Sequence, residues 1–183
     1  MASYVPRMSS IHANEAATGP CVVRKATPAD LAPVALIWQI GWADGHLGHV
    51  PSELVRHRGP EQFVSRTRDR LAYTWVAESQ GDPMGFVMVK GYEVEQIYVD
   101  RAARGTGVAA LLLRTAEAAI RGAGYRTAWL AVVAGNQRAR AFYARLGWRD
   151  AGPMSYLAET EAGPLAIPTH RYEVDLMQPI PGK

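Results

Sequence analysis

Apolar residues recur along this chain with two different periods, and the switches between them divide it into elements. Residues 21–26 are a short strand-like run. Leu31, Val34, Ala35, Trp38 and Trp42 then recur at helical spacing behind Thr27 and Pro28, residue types favoured at an N-cap and a first helical position. The stretch 41–51, opened by Gly41 and closed by Pro51, breaks that periodicity. Another helix start follows at Pro51-Ser52-Glu53-Leu54 and runs weakly toward Arg58. After Gly59 and Pro60, residues 61–71 are helical in composition, with Phe63, Val64 and Thr67 facing inward.

The period then changes. Residues 72–78, 84–90 and 93–100 are strand-like and separated by turns holding Gly81, Pro83 and Gly91, which predicts an antiparallel meander. A helix beginning at Gly107 ends at the glycines of 121–124. The apolar run 127–133 is suited to a buried strand, and the helix before it makes it a parallel neighbour of 93–100. A last helix over 136–146 is closed by Gly147, and strands over 148–156 and 166–176 complete the chain. The predicted order is β-α-α-β-β-β-α-β-α-β-β, with no internal repeat, low-complexity tract or second-domain linker.

Composition narrows this little. A chain of 183 residues suits one domain with a real core, and 48% hydrophobic and 20% charged residues are ordinary for a globular protein. Residues 1–20, rich in Ser, Ala and Asn, read as a mobile N-terminal arm; 21–178 form the domain and 179–183 a C-terminal tail. Twenty Lys and Arg against 17 Asp and Glu leave +3, too weak and dispersed to argue for nucleic acid. The single cysteine, Cys21, excludes an internal disulfide and suits a reducing compartment. No run approaches the roughly 18 apolar residues of a membrane span, so a cytoplasmic protein without membrane contact is expected.

Chemistry enters at residues 96–113. A β-branched and aromatic run passes through a glycine-lined turn into an Ala- and Leu-rich helix start, an arrangement that offers unpaired amides and the positive end of a helix dipole to an anion. Neither G-x-x-x-x-G-K-[ST] nor G-x-G-x-x-G fits. Arg104-Gly105-Thr106-Gly107-Val108-Ala109, three residues beyond the strand end Ile97-Tyr98-Val99-Asp100, matches R-x-x-G-x-A and resembles the acyl-CoA pyrophosphate loop of the GCN5-related N-acetyltransferase (GNAT) superfamily. Further on, Asn136, Ala139, Phe142, Tyr143, Gly147 and Trp148 fill the superfamily's N-x-x-A-x-x-F-Y-x-x-x-G-[FW] signature. The resemblance covers residues 21–177 in element order and is specific over 93–148. It implies an α/β (α+β) GNAT-like fold, a mixed central sheet of about six to seven strands flanked by helices.

From spacing alone, Ala139, Phe142, Tyr143 and Leu146 form a core-facing stripe, and Asn136 is a helix cap. The resemblance implies more. It makes acetyl-CoA the cofactor, bound by Ile97, Tyr98, Val99, Arg104, Gly105, Thr106, Gly107, Val108, Ala109, Asn136, Arg138, Ala139 and Tyr143. The Asn136 side chain would bond the pantetheine arm, a backbone N–H of Ile97–Val99, that of Val99 first, would polarise the thioester carbonyl, and Tyr143 would be the general acid toward the sulfur. Such chemistry needs an acid because the departing thiolate's parent thiol has a pKa of about 8.5. The attacking amine must also lose a proton. Glu93 and Glu95, two apart on one strand, share a face and are the candidates, Glu95 being preferred as nearer the expected thioester; both can equally be solvated or salt-bridged.

The acceptor is expected between the first helices and the final hairpin, against Trp38, Trp42, Asp44, His46, His49 and Tyr156. His46 and His49 have no third ligand spaced with them, so no metal is expected. The resulting expectation is an N-acetyltransferase acting on a small primary amine, with a protein or peptide acceptor and a non-catalytic acyl-CoA-binding domain as alternatives. A homodimer paired through the C-terminal strands is a further implication of the resemblance.

Overall fold

The computed structural model describes residues 20–177. The arm expected over 1–20 lies, Pro20 apart, outside the described residues, as does the tail at 179–183. Within them, β1 (Val22–Lys25), β2 (Thr74–Ser79), β3 (Asp82–Lys90), β4 (Glu93–Val99), β5 (Thr127–Val133), β6 (Arg149–Ala158) and β7 (Leu165–Asp175) build one mixed sheet in the order β1-β2-β3-β4-β5-β7-β6. Helices α1 (Leu31–His46), α2 (Ser52–Arg56) and α3 (Pro60–Arg70) precede the meander; α4 (Val108–Gly122) joins β4 to β5, and α5 (Gln137–Arg145) joins β5 to β6.

The pattern of β3 explains the layering. Phe86, Val87, Met88 and Val89 are all buried; Phe86 and Met88 meet Trp38 of α1 and Phe63 of α3 in one apolar cluster, while Val87 and Val89 join Leu112, Leu113 and Ile120 of α4 in another. A strand covered on both faces has no solvent side to alternate with. Among the described residues no helix is long and apolar enough to cross a membrane.

Two departures from the sequence pattern shape the fold around its central strands. First, α1 does not stop near Gly41 but runs on to His46. Glycine costs a helix about 0.5–1 kcal/mol relative to alanine, yet a Cβ at Gly41 would overlap the Tyr98 ring of β4. The glycine is therefore a point of close approach rather than a breaker, and it lets α1 lie against β4. The segment before β2 holds three helices, one for each helical stretch of the sequence pattern, although the predicted order β-α-α-β counts only two.

Second, β4 and β5 are parallel neighbours, as expected, but the register pairs them at Glu93 opposite Trp129 alone. Across β3, Met88 faces Gln96 whereas Val89 faces Val94, so Glu95 is an extra residue, a β-bulge. Beyond the bulge β4 swings away from β5 and the seam between them opens.

Candidate active site

The chain leaves the open end of β4 through a tight loop. The Asp100 carboxylate accepts the Ala102 N–H at 2.8 Å, buried Ala103 anchors the turn, and Gly105 and Gly107 take φ of 82° and 92°, in the left-handed region where a Cβ is costly. Helix α4 starts at once: the Leu111 N–H donates to the Gly107 carbonyl at 3.1 Å. The amides of Val108, Ala109 and Ala110 are thus left without helical partners, at the positive end of a 15-residue helix. That end can receive an anion. Arg104 stands beside it, its Nη2 donating at 2.7 Å to Asp44 from the last turn of α1, which also takes Arg101 at 2.5 Å. The two guanidiniums hold the Asp44 carboxyl well below the usual carboxylate range.

A cavity of about 800 Å³ runs from this helix end along the open seam to the far side of the sheet. Of the residues implied in cofactor binding, Ile97, Tyr98, Val99, Arg104, Gly105, Gly107, Ala109, Asn136, Arg138, Ala139 and Tyr143 line it; Thr106 and Val108 do not. The Tyr98 ring itself packs on Phe86, 5.9 Å between centroids. Asn136 does cap α5, its Oδ1 accepting the Ala139 N–H at 3.0 Å, while its Nδ2 faces Gly45 of α1 across the cavity wall. Tyr143 is 8% exposed and wedged among Phe142, Trp148 and Tyr172. Burial pushes its phenol far up, so it keeps its proton throughout the neutral range.

The two glutamates share the cavity but not an environment. Glu93 accepts a hydrogen bond from the Tyr156 hydroxyl at 3.0 Å, and burial raises its carboxyl above the ordinary value. Glu95 is bound to the Arg70 guanidinium of α3 at 2.8 Å, both side chains 5–6% exposed, and its Oε2 has no hydrogen-bond partner. Arg70 also holds Glu159 at 2.5 Å. Trp42 lines the cavity and stacks on His46, 5.0 Å between centroids; the His46 Nδ1 donates to the Trp42 carbonyl at 3.1 Å, and desolvation drags the ring down to about 4, leaving it neutral. Tyr156 is brought to the same end. Trp38 is not: it is fully buried, with Arg66 over its ring. Asp44 is likewise spent on the loop arginines, outside the cavity wall, and His49 packs on Gly135. Among the described residues no three His, Cys, Asp or Glu side chains gather as a metal site.

Sequence reasoning missed Arg58, Arg66 and Arg70. For Arg66 and Arg70 the signal was present, because Phe63, Arg66, Thr67 and Arg70 lie at i, i+3, i+4 and i+7, so two arginines share the inward face of α3; Arg58, between α2 and α3, has no such signal.

The Acetyltransferase (GNAT) family matches residues 38–148, more than half of the chain. No match is found among curated protein sequences. Solved structures share the fold along almost their whole length. An N-acetyltransferase from Staphylococcus aureus Mu50 superposes with a TM-score of 0.63 at 22% identity, covering 86% of this chain and 99% of its own. YncA from Salmonella typhimurium, solved with its cofactor acetyl-CoA, gives 0.64 at 18% identity over 90% and 99%. The PaiA N-acetyltransferase from Thermoplasma acidophilum, in complex with coenzyme A, gives 0.59 at 16% over 85% and 99%. With both signatures lying inside the matched region, the chain belongs to the Acetyltransferase (GNAT) family of enzymes.

Proposed function

We propose that this enzyme transfers the acetyl group of acetyl-CoA directly to a primary amine of a small molecule. One observation carries the reading: the parting of β4 and β5 joins the bare amides at the head of α4, Tyr143 and Glu93 in a single cavity. The donor set suits the cofactor. The Gly105–Gly107 turn and the Val108, Ala109 and Ala110 amides present N–H groups to a pyrophosphate, and the β4 edge beyond the bulge has backbone groups free to pair with a pantetheine arm, helped by Asn136.

Bound there, acetyl-CoA would supply an activated thioester carbonyl. Glu93 takes the proton of the incoming ammonium, directly or through water. The β4 amide at Ile97, nearer to Glu93 along the strand than that of Val99, donates to the carbonyl oxygen as charge builds on it, an oriented dipole that needs no reorganisation. Tyr143 gives its proton to the sulfur as the new C–N bond replaces the C–S bond, and the second proton lost by the amine nitrogen returns through water to the Tyr143 oxygen, restoring the phenol. Glu93 is favoured over Glu95 because the Glu95 carboxylate is already paired with Arg70. The acceptor end is walled by Trp42 of α1, Leu54 of α2, Arg66 of α3 and Tyr156 of β6. Such an enclosure fits a small amine better than an extended peptide. An acceptor screen read by thiol release tests this: small amines are expected to turn over, and activity on peptides with none on small amines would overturn it.

Two further outcomes are expected. A general base must be unprotonated, and the Glu93 carboxyl is raised, so kcat/KM should fall as pH drops through a value above the ordinary carboxylate range, which is about 4.3 for glutamate. Glu93→Gln should abolish that acid limb and Glu95→Gln should keep it; a limb that survives Glu93→Gln rules Glu93 out as the base. At the other end of the cavity, Gly107→Ala should raise the acetyl-CoA Kd by about tenfold, since a left-handed L-residue costs about 1–2 kcal/mol and shifts the amides behind it. Calorimetric titration checks this, and an unaltered Kd would remove the turn from cofactor binding.

A further inference from the structure

The acceptor end of the cavity holds two guanidiniums that no carboxylate pairs with among the described residues. The Arg66 guanidinium, 4.6 Å from the Trp38 ring centroid, makes no hydrogen bond or ion pair among the described residues, and its buried Nε has no partner. Arg58 donates from its two Nη atoms only to carbonyls, of His57 at 2.9 Å and Glu159 at 3.0 Å, and its Nε is also buried and unpartnered. Three carboxylates share this end and act on the two arginines at longer range, but each is hydrogen-bonded elsewhere: Glu95 and Glu159 both to Arg70, and Glu93 to Tyr156. Desolvation, reinforced by the charge of Arg66, pulls Arg58 down to about 10, and Arg66 also lies below the ordinary guanidinium value. A buried charge or polar N–H without a partner is costly and persists where something else completes it.

The compartment is shared with the reacting groups. Both arginines line the cavity, the field of Arg58 is felt at His46, and that of Arg66 at Tyr156, which holds Glu93. Resting on the small-amine reading above, we propose that the acceptor carries an oxyanion group, a carboxylate or a phosphorus oxyacid, a few bonds from its amine, and that Arg66 and Arg58 bind this group while Glu93 faces the amine.

Matched acceptors test it: an α-amino acid against its carboxamide, and an aminoalkylphosphonate against the plain alkylamine. Two readouts are taken, thiol release with acetyl-CoA and calorimetric binding to the CoA-loaded protein. The anionic member of each pair should be preferred by about 10–100-fold, the range for a hydrogen-bonded charge, and the better pair tells carboxylate from phosphorus oxyacid. Arg66→Gln and Arg58→Gln should each shrink the preference while leaving acetyl-CoA affinity and melting temperature in place. Equal use of the uncharged members, a preference that survives both substitutions, or no binding by any anionic member overturns the inference. Arginine-dependent binding of the anionic members with no thiol released supports it and instead refutes small-amine transfer. Transfer without charge preference does the reverse. Because the pairs are compared in the unmodified enzyme first, a variant that fails to fold does not remove the test.

Discussion

Tyr143→Phe is expected to lower turnover by about 10²–10⁴-fold, the usual contribution of a positioned acid, with the acetyl-CoA Kd essentially kept. The ring is buried and fixed by Phe142, Trp148 and Tyr172, contacts that phenylalanine preserves, so the cofactor's surroundings lose a single oxygen. That oxygen matters because the phenol is held neutral by burial. It can give a proton to the departing sulfur but is not itself an anion beside it. Rates from a thiol-release assay at saturating acetyl-CoA, with Kd from calorimetry, separate the two effects. Unchanged turnover would remove Tyr143 from the mechanism, and a loss confined to Kd would make it a binding residue only.

The second large effect concerns stability. Arg70→Leu should destabilise the fold by about 3–5 kcal/mol, because it leaves the Glu95 carboxylate buried and uncompensated. At this chain length that corresponds to a fall in melting temperature of roughly 10 °C. The paired substitution Arg70→Leu with Glu95→Leu should recover most of the loss, since a buried ion pair replaced by apolar groups is often neutral or better. A single variant that melts within the range of an ordinary surface change, about 0.5 kcal/mol, would mean that water reaches Glu95 and that the pair is not buried in solution. The cycle also bears on catalysis: a double variant that is stable and still active would confirm that Glu95 is not the base.

The cofactor half of the site was legible because its parts are local. A strand, two glycines and a helix start within residues 96–113 fix their own geometry, and Ala139, Phe142 and Tyr143 lie on one helix, α5, capped by Asn136. What the sequence hid are matters of approach between distant segments. Gly41 reads as a breaker in one dimension and becomes, in three, the place where α1 meets Tyr98. The bulge at Glu95 is a register relation between β3 and β4, with no residue type to announce it. Glu93 and Glu95 look equivalent at two-residue spacing; Arg70, 25 positions before Glu95, makes them different. Arg66 was overlooked for a related reason, since a charge run is ordinarily a solvated face, and only the shared phase with Phe63 and Thr67 betrays it.

The open seam between β4 and β5 has a mechanical meaning as well. Strands β1–β4 and strands β5–β7 are two half-sheets hinged at Glu93 and Trp129, with α4 as the strap across one side. A ligand that hydrogen-bonds along the free edge of β4 supplies rungs the polypeptide lacks, and so acts as a keystone between the halves. Slowed amide exchange on cofactor binding would then be concentrated in residues 96–99 and at the head of α4, and thermal opening of the ligand-free protein would begin at this joint rather than in the packed layers on either side.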